Sequence, residues 1–244
     1  NPSSAASDVY KRQLHRGPDF SKIYKDDKVC LGHNRLSIID LDDKSNQPFI
    51  SEDKNIILTY NGEIYNFSYL KEELSKNYQF KTKSDTELII AAYQAWGIKM
   101  LEKFNGMFSF ALWDKAKQEF YLCRDRMGIK PLYYLEENDG IIFSSSLKAI
   151  QLFKNQKLSI NNEDIVDFLR YGTVHSPNTF INEIKSLTRA SFLKASSDKT
   201  VINEYWSFFD NSIQQKKNDE PHFKIKNLIL DSVEKRMMSD CLLY

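Results

Sequence analysis

Two hydrophobic periods alternate along the chain. Compact apolar runs at 28–33 and 55–60 suit buried strands. Runs at 108–113 and 120–124 flank Asp114-Lys115-Ala116-Lys117, which reads as a hairpin loop. The runs at 132–135 and 141–143 continue the meander through the polar stretch 136–140. Helical spacing predicts helices over 66–75, 85–96, 147–153 and 162–171. In the second of these, Ser84 and Glu87 stand in capping-box spacing ahead of Leu88, Ala91, Ala92 and Ala95. Helices beside mostly antiparallel strands indicate an α+β layered domain. After Trp206 the composition shifts: 210–220 is polar, and its charged run 214–219 reads as a linker. Pro221 then introduces a helix with Ile225, Leu228, Ile229, Val233 and Met237 on or near one face. No internal repeat, Walker-type loop or dinucleotide glycine pattern is present in the sequence.

Charge and composition narrow the function classes. With 34 basic against 33 acidic side chains in 244 residues, the net charge of +1 supplies no basic field for nucleic acid, so no nucleic-acid partner is expected. No apolar run approaches the roughly 18–20 residues that span a bilayer, and the first residues lack a signal-peptide core. The expectation is a cytoplasmic protein without membrane contact. Cys30, Cys123 and Cys241 are odd in number and lack paired ligand spacing, which argues against a disulfide framework and against a metal site. Cys30 and Cys123 read as small core residues in strands.

The two ends look foreign. Residues Asp8-Val9-Tyr10-Lys11-Arg12-Gln13 are what a transposon-end adapter of sequencing libraries encodes in one frame, and Cys241-Leu242-Leu243-Tyr244 is what its reverse complement encodes. The expectation is therefore non-native segments at 1–13 and 241–244, kept out of fold reasoning.

Three polar clusters sit at element boundaries, where loops commonly hold functional groups: Arg35-Leu36-Ser37-Ile38-Ile39, Asn61-Gly62-Glu63-Ile64-Tyr65-Asn66 and Ser84-Asp85-Thr86-Glu87. Taken alone, each has an ordinary reading. Arg35 fits a surface salt bridge, Asn61-Gly62 a tight turn after a strand, and Ser84-Asp85 a helix start.

The order of motifs adds a family resemblance. His15-Arg16-Gly17-Pro18-Asp19, Gly32-His33-Asn34-Arg35-Leu36-Ser37-Ile38-Ile39-Asp40, Asn46-Gln47-Pro48, Tyr60 to Asn66, and Ser84 to Glu87 are followed by Phe104-Asn105-Gly106-Met107-Phe108 and Arg124-Asp125-Arg126-Met127-Gly128-Ile129-Lys130-Pro131-Leu132-Tyr133-Tyr134. Together they resemble the class II glutamine amidotransferase domain, in the form found as the glutaminase domain of glutamine-dependent asparagine synthetases. The resemblance implies an N-terminal-nucleophile hydrolase fold, a four-layer sandwich of two antiparallel sheets between helical layers. It implies an amidotransferase domain over 14–210, then linker and first helix of a truncated ATP-pyrophosphatase synthetase domain over 211–240. Glutamine would be the substrate, with ammonia released for ATP-dependent amidation of aspartate. By the same resemblance Arg35 would hold the α-carboxylate of glutamine and Asp85 its α-ammonium, while Glu63 and main-chain groups around Ile38 and Ile39 would line the rest. Asn61 through its side-chain amide and Gly62 through its N–H would form the oxyanion hole, with glycine letting the backbone approach the substrate.

Departures from the family pattern qualify these expectations. The family's nucleophile is an N-terminal cysteine whose own amine is the base, on an opening Met-Cys-Gly-Ile-like strand that is missing ahead of Leu14. The chain as written is expected to be inactive, with no cofactor of its own; ATP and Mg²⁺ would belong to the parent enzyme, for which a homodimer is one arrangement. Ser146 replaces an acidic residue, and Leu187-Thr188-Arg189-Ala190 stands where the family favours Pro-Pro-Gly and a compact turn. Arg124 and Asp125 read as a structural ion pair behind the pocket. Two alternatives stay open: an amidotransferase acting on another carboxylate, such as a cell-surface sugar acid, and a non-catalytic glutamine-binding module.

Overall fold

The computed structural model describes residues 17–35, 45–138, 140–154, 158–197, 199–209 and 221–237. Its centre is a six-stranded antiparallel sheet in the order β11-β10-β6-β5-β4-β3. The two middle strands, β4 (Ile56–Ile64) and β5 (Gly106–Asp114), pair along their whole length from Ile56↔Asp114 to Ile64↔Gly106. Strand β6 (Glu119–Arg124) follows β5 through the predicted hairpin, and β10 (Ser191–Ala195) and β11 (Thr200–Glu204) extend that side. The short β3 (Phe49–Ile50) covers only Ile57 and Leu58 of β4, so the far half of that strand has an open edge.

Period-two alternation divides the side chains of this sheet between two cores. Ile56, Leu58 and Tyr60 of β4 join Phe108, Phe110 and Leu112 of β5 on one face. That face is covered by α1 (Phe67–Leu74) and α2 (Asp85–Trp96), with the short α3 (Met100–Lys103) behind them. Helix α2 is buried on nearly all sides, from Asp85 to Tyr93, which explains its apolar run Leu88–Ala92. On the other face Ile57, Ala111, Trp113, Leu122 and Leu193 meet Leu31, Leu132, Tyr134 and Leu187. Those partners come from a second sheet layer made of two pieces: β1 (Phe20–Lys25) with β2 (Cys30–Arg35), and the three-stranded β8-β7-β9. In the latter, β7 (Tyr133–Glu137) lies between β8 (Gly140–Ser144) and β9 (Lys185–Ser186). The outer side of that piece is closed by α4 (Leu147–Lys154) and the segment reaching Ile184, through Leu135, Ile150 and Ile181. Helix–sheet–sheet–helix layering results, as the sequence motifs imply.

Several expectations need correction. Strands β7 and β8 do not continue the β5–β6 meander; they belong to the second layer. Asp125 redirects the chain there: its carboxylate accepts the N–H groups of Phe108, Met127, Ile129 and Lys130, around Gly128 at φ 68°. Arg124 is not its ion-pair partner. That guanidinium donates instead to the carbonyls of Gly128, Lys130 and Leu187 and to the Ser186 hydroxyl, so both charges are structural: Asp125 takes the N–H groups of the 127–130 loop, and Arg124 takes its carbonyls and ties it to 186–187. The capping box also fails: Ser84 Oγ accepts from Thr86 N, while Glu87 is taken by the N–H groups of Lys81 and Thr82 and the Thr82 hydroxyl. Cys30 is exposed at the start of β2 rather than buried, whereas Cys123 is a core residue. The turn before β10 stays compact without Pro-Pro-Gly, and Ala190 takes the left-handed conformation at φ 54°. Helix α6 (Pro221–Arg236) forms, but Ile225, Leu228, Ile229, Val233 and Met237 are all exposed. The linker at 210–220 and the terminal segments 1–13 and 241–244 lie outside the described residues.

Candidate active site

Strand β4 carries Asn61-Gly62-Glu63 not as a turn but as three consecutive ladder residues. Alternation sends the Asn61 and Glu63 side chains to the same side as Ile57, into the space between the two sheet layers. On β2 the same rule puts Leu31, His33 and Arg35 on one face, and His33 Nε2 donates to the Tyr60 carbonyl at 3.1 Å. Asp85 arrives from a third element, the first turn of α2, where the Ser84 cap starts the helix. Arg35, Asn61, Gly62, Glu63 and Asp85 thereby line one cavity of about 620 Å³, with the edges of β2 and β8 on either side of it. Ile38 and Ile39 lie outside the described residues.

The open edge of β4 has a specific polarity. Antiparallel pairing directs the N–H and C=O of alternate residues to opposite edges. Tyr60 N donates to Gln47 Oε1 at 2.6 Å and Ile64 N to Asp85 Oδ2 at 3.3 Å, so the even-numbered amides of this half-strand face away from β5. Phe108, opposite Gly62, confirms the phase, since its N–H goes to Asp125 and its carbonyl accepts from Asp125 N. The Gly62 N–H therefore faces the same edge, midway between two amides held by side chains, and Gly62 and Asn61 both line the cavity. Glycine is demanded here by β5 rather than by a ligand. A Cβ on Gly62 would stand 2.3 Å from the Met107 carbonyl oxygen and 2.7 Å from Phe108 Cα.

The charged groups are desolvated to different degrees. Burial pushes the Asp85 carboxyl from 3.8 up to about 6, although Tyr60 OH donates to it at 2.6 Å. Glu63 is also held above the ordinary glutamate range by burial and by the neighbouring Asp85 charge, with Lys130 and Arg236 opposing the rise. Its Oε1 atom is buried without a hydrogen-bond partner. Arg35, buried at the end of β2, donates from Nη1 to Asn46 Oδ1 at 2.7 Å. Burial lowers His33 to about 4, so its imidazole is neutral near pH 7 and serves as a strut to β4. The cavity thus offers a cation at one place, two carboxylates at another, and two amide donors between sheet layers.

Four contributors lack a role in the sequence reasoning. Gln47 bridges β4 to α2, accepting from Tyr60 N while its Nε2 lies 3.4 Å from Thr86 Oγ1. Asn46 positions Arg35, Tyr60 holds Asp85, and Lys130 lines the cavity beside Glu63. The Asn-Gln-Pro motif is the one signal in the sequence for Asn46 and Gln47. Neither described cysteine is prepared as a nucleophile: partial desolvation raises the Cys30 thiol against the pull of Lys25, and full burial holds Cys123 well above its ordinary range. Among the described residues no group of three or more His, Cys, Asp or Glu side chains could hold a metal ion, and no helix is long and apolar enough to cross a membrane.

This architecture has counterparts among known proteins. A family model described as a glutamine amidotransferase domain matches residues 1–206, and the chain belongs to that family. It is 34% identical over 228 residues to asparagine synthetase [glutamine-hydrolyzing] 1 of Bacillus subtilis, covering 93% of this chain and 36% of that protein. A putative asparagine synthetase [glutamine-hydrolyzing] 2 of Methanocaldococcus jannaschii is 36% identical over 250 residues, covering 93% and 48%. The chain therefore spans about a third to a half of the length of these curated relatives. Glutamine phosphoribosylpyrophosphate amidotransferase from B. subtilis shares the fold at a TM-score of 0.53 and 19% identity, over 72% of this chain and 35% of that one. The fold is the N-terminal-nucleophile hydrolase sandwich, and the domain is homologous to the glutaminase domains of asparagine synthetases.

Proposed function

We propose that the cavity binds glutamine and that the parent protein is a glutamine-hydrolysing asparagine synthetase. Arg35 takes the α-carboxylate, for which a buried guanidinium held by Asn46 is well shaped. Asp85, with Glu63 beside it, takes the α-ammonium, and the unpartnered Glu63 oxygen gains a donor there. The side-chain carboxamide then lies against β4, where the Asn61 amide and the Gly62 N–H stabilise the oxyanion of the tetrahedral intermediate. The observation that carries this reading is the convergence of Arg35, Asn61, Gly62, Glu63 and Asp85, from three separate elements, on one cavity.

Hydrolysis needs a nucleophilic thiol within reach of those donors. We place it on a strand lying between the edges of β2 and β8, within reach of Asn61 and Gly62. In the parent, the amidotransferase domain occupies 14–210 and α6 is the first helix of the following domain, which uses the ammonia to amidate aspartate at the expense of ATP. The test is Arg35→Ala in the full-length enzyme. Glutamine KM should rise strongly while synthesis from free ammonia stays nearly intact; equal loss of both activities would make Arg35 structural and overturn the assignment.

A further inference from the structure

The matched family region ends at 206, yet one side chain beyond it packs on Tyr65, two residues from a wall of the cavity. Arg236, the last residue of α6, places its guanidinium 4.4 Å from the centroid of the Tyr65 ring. It is oriented from behind, since Nη1 donates to the carbonyl and hydroxyl of Ser232 one turn earlier. Tyr65 is itself fixed: the residue is buried and its N–H donates to the Asn105 carbonyl at 2.8 Å. Two residues earlier stands Glu63, lining the cavity with one oxygen buried and unpartnered. The rest of α6 turns its apolar side chains to solvent, so Arg236 is a contact at the helix end and not one face of a packed helix.

We propose that Arg236 is a positioning residue of the glutamine site, which seats α6 on Tyr65 and presents its positive charge to Glu63. The inference rests on the glutamine reading above and adds to it a link between the pocket and the segment that follows the domain. Physically, a cation over the tyrosine face gains from the ring quadrupole, and its field favours the ionised Glu63 that an ammonium ligand needs. The groups facing Glu63 are Asp85 and Tyr60 from the helix and strand, Tyr65 beside it, Lys130 from the loop after β6, and Arg236. Asp85 disfavours its charge; Lys130 and Arg236 favour it.

The experiment uses the whole chain with Arg236→Ala, Arg236→Lys and, as a control on the same turn, Lys235→Ala. Carboxyl ¹³C titration of Glu63 without ligand should show its midpoint moved to higher pH in Arg236→Ala, with Arg236→Lys restoring most of the position and Lys235→Ala leaving it unmoved. Glutamine titration should show affinity reduced about fivefold in Arg236→Ala, with the loss beginning at higher pH than in the wild type. An unmoved Glu63 midpoint in Arg236→Ala would overturn the proposal. A moved midpoint with no glutamine binding by the wild type would instead sustain the Arg236 link and sink the glutamine reading.

Discussion

Asp85→Asn should make the protein more stable at neutral pH while removing a ligand for the substrate ammonium. In the fold the carboxyl sits near 6 against 3.8 in the unfolded chain, because burial outweighs the donors at Tyr60 OH and Ile64 N. At about 1.36 kcal/mol per unit, two units correspond to roughly 3 kcal/mol of folding free energy lost when the group is ionised. The sign follows from linkage. A raised folded value means that the native state holds the proton more tightly, so stability falls as pH rises from about 4 to about 6 and the full cost persists above that. Asparagine keeps an acceptor oxygen for Tyr60 and Ile64 without the charge. Against this, the lost charge forfeits about 0.5–1 kcal/mol of favourable interaction with the N-terminus of α2. A net gain of about 2 kcal/mol at pH 8 is expected, shrinking to under about 1 kcal/mol at pH 4. Urea unfolding of both proteins at the two pH values measures it. A variant less stable at pH 8, or a gain independent of pH, would refute the claim that Asp85 is a strained buried carboxylate.

Other perturbations separate packing from chemistry. Gly62→Ala should destabilise by about 2–3 kcal/mol, because the new Cβ collides with the β5 backbone 2.3 Å away; an unchanged urea midpoint would show that the two strands part easily there. Asp125→Ala should cost about 3–5 kcal/mol by stranding four backbone donors, and Asp125→Asn less; a small effect of both on thermal unfolding would contradict its role as the pivot between layers. Asn61→Ala in the full-length enzyme should lower glutaminase turnover about a hundredfold or more with little change in glutamine binding; a change confined to binding would remove it from the oxyanion hole.

The parts of the fold legible in the sequence are those fixed locally. Helices α2 and α5 (Asn162–Tyr171) begin and end where their patterns predict, since Ser84 and Asn161 cap them and Gly97 and Gly172 adopt positive φ after their last turns. Strands β5 and β6 carry their own near-continuous apolar runs and a short loop. By contrast β3 and β9 are two residues each and exist only because a neighbouring strand is there, and β1 hides its pairing behind lysines. Asn66 stands at the start of α1 as predicted, but its side chain, instead of capping the helix, bridges Lys103 and Asn105, a contact no local pattern announces. The site divides in the same way. Motif order located Arg35, Asn61, Gly62, Glu63 and Asp85, but not the partners that set their character. Gln47, Tyr60 and Arg236 act across 13, 25 and far more residues of sequence, so only the folded chain joins them to the pocket.

The central claim is that the cavity reads both charged ends of glutamine, Arg35 at one and Asp85 with Glu63 at the other. Titrating the chain with glutamine, with its analogue lacking the α-amine and with its α-carboxamide tests this directly. Glutamine should bind at least about tenfold more tightly than either analogue, and Arg35→Ala should erase the preference over the α-carboxamide alone, about 1.4 kcal/mol per charged end. Equal affinity for all three ligands would contradict the account.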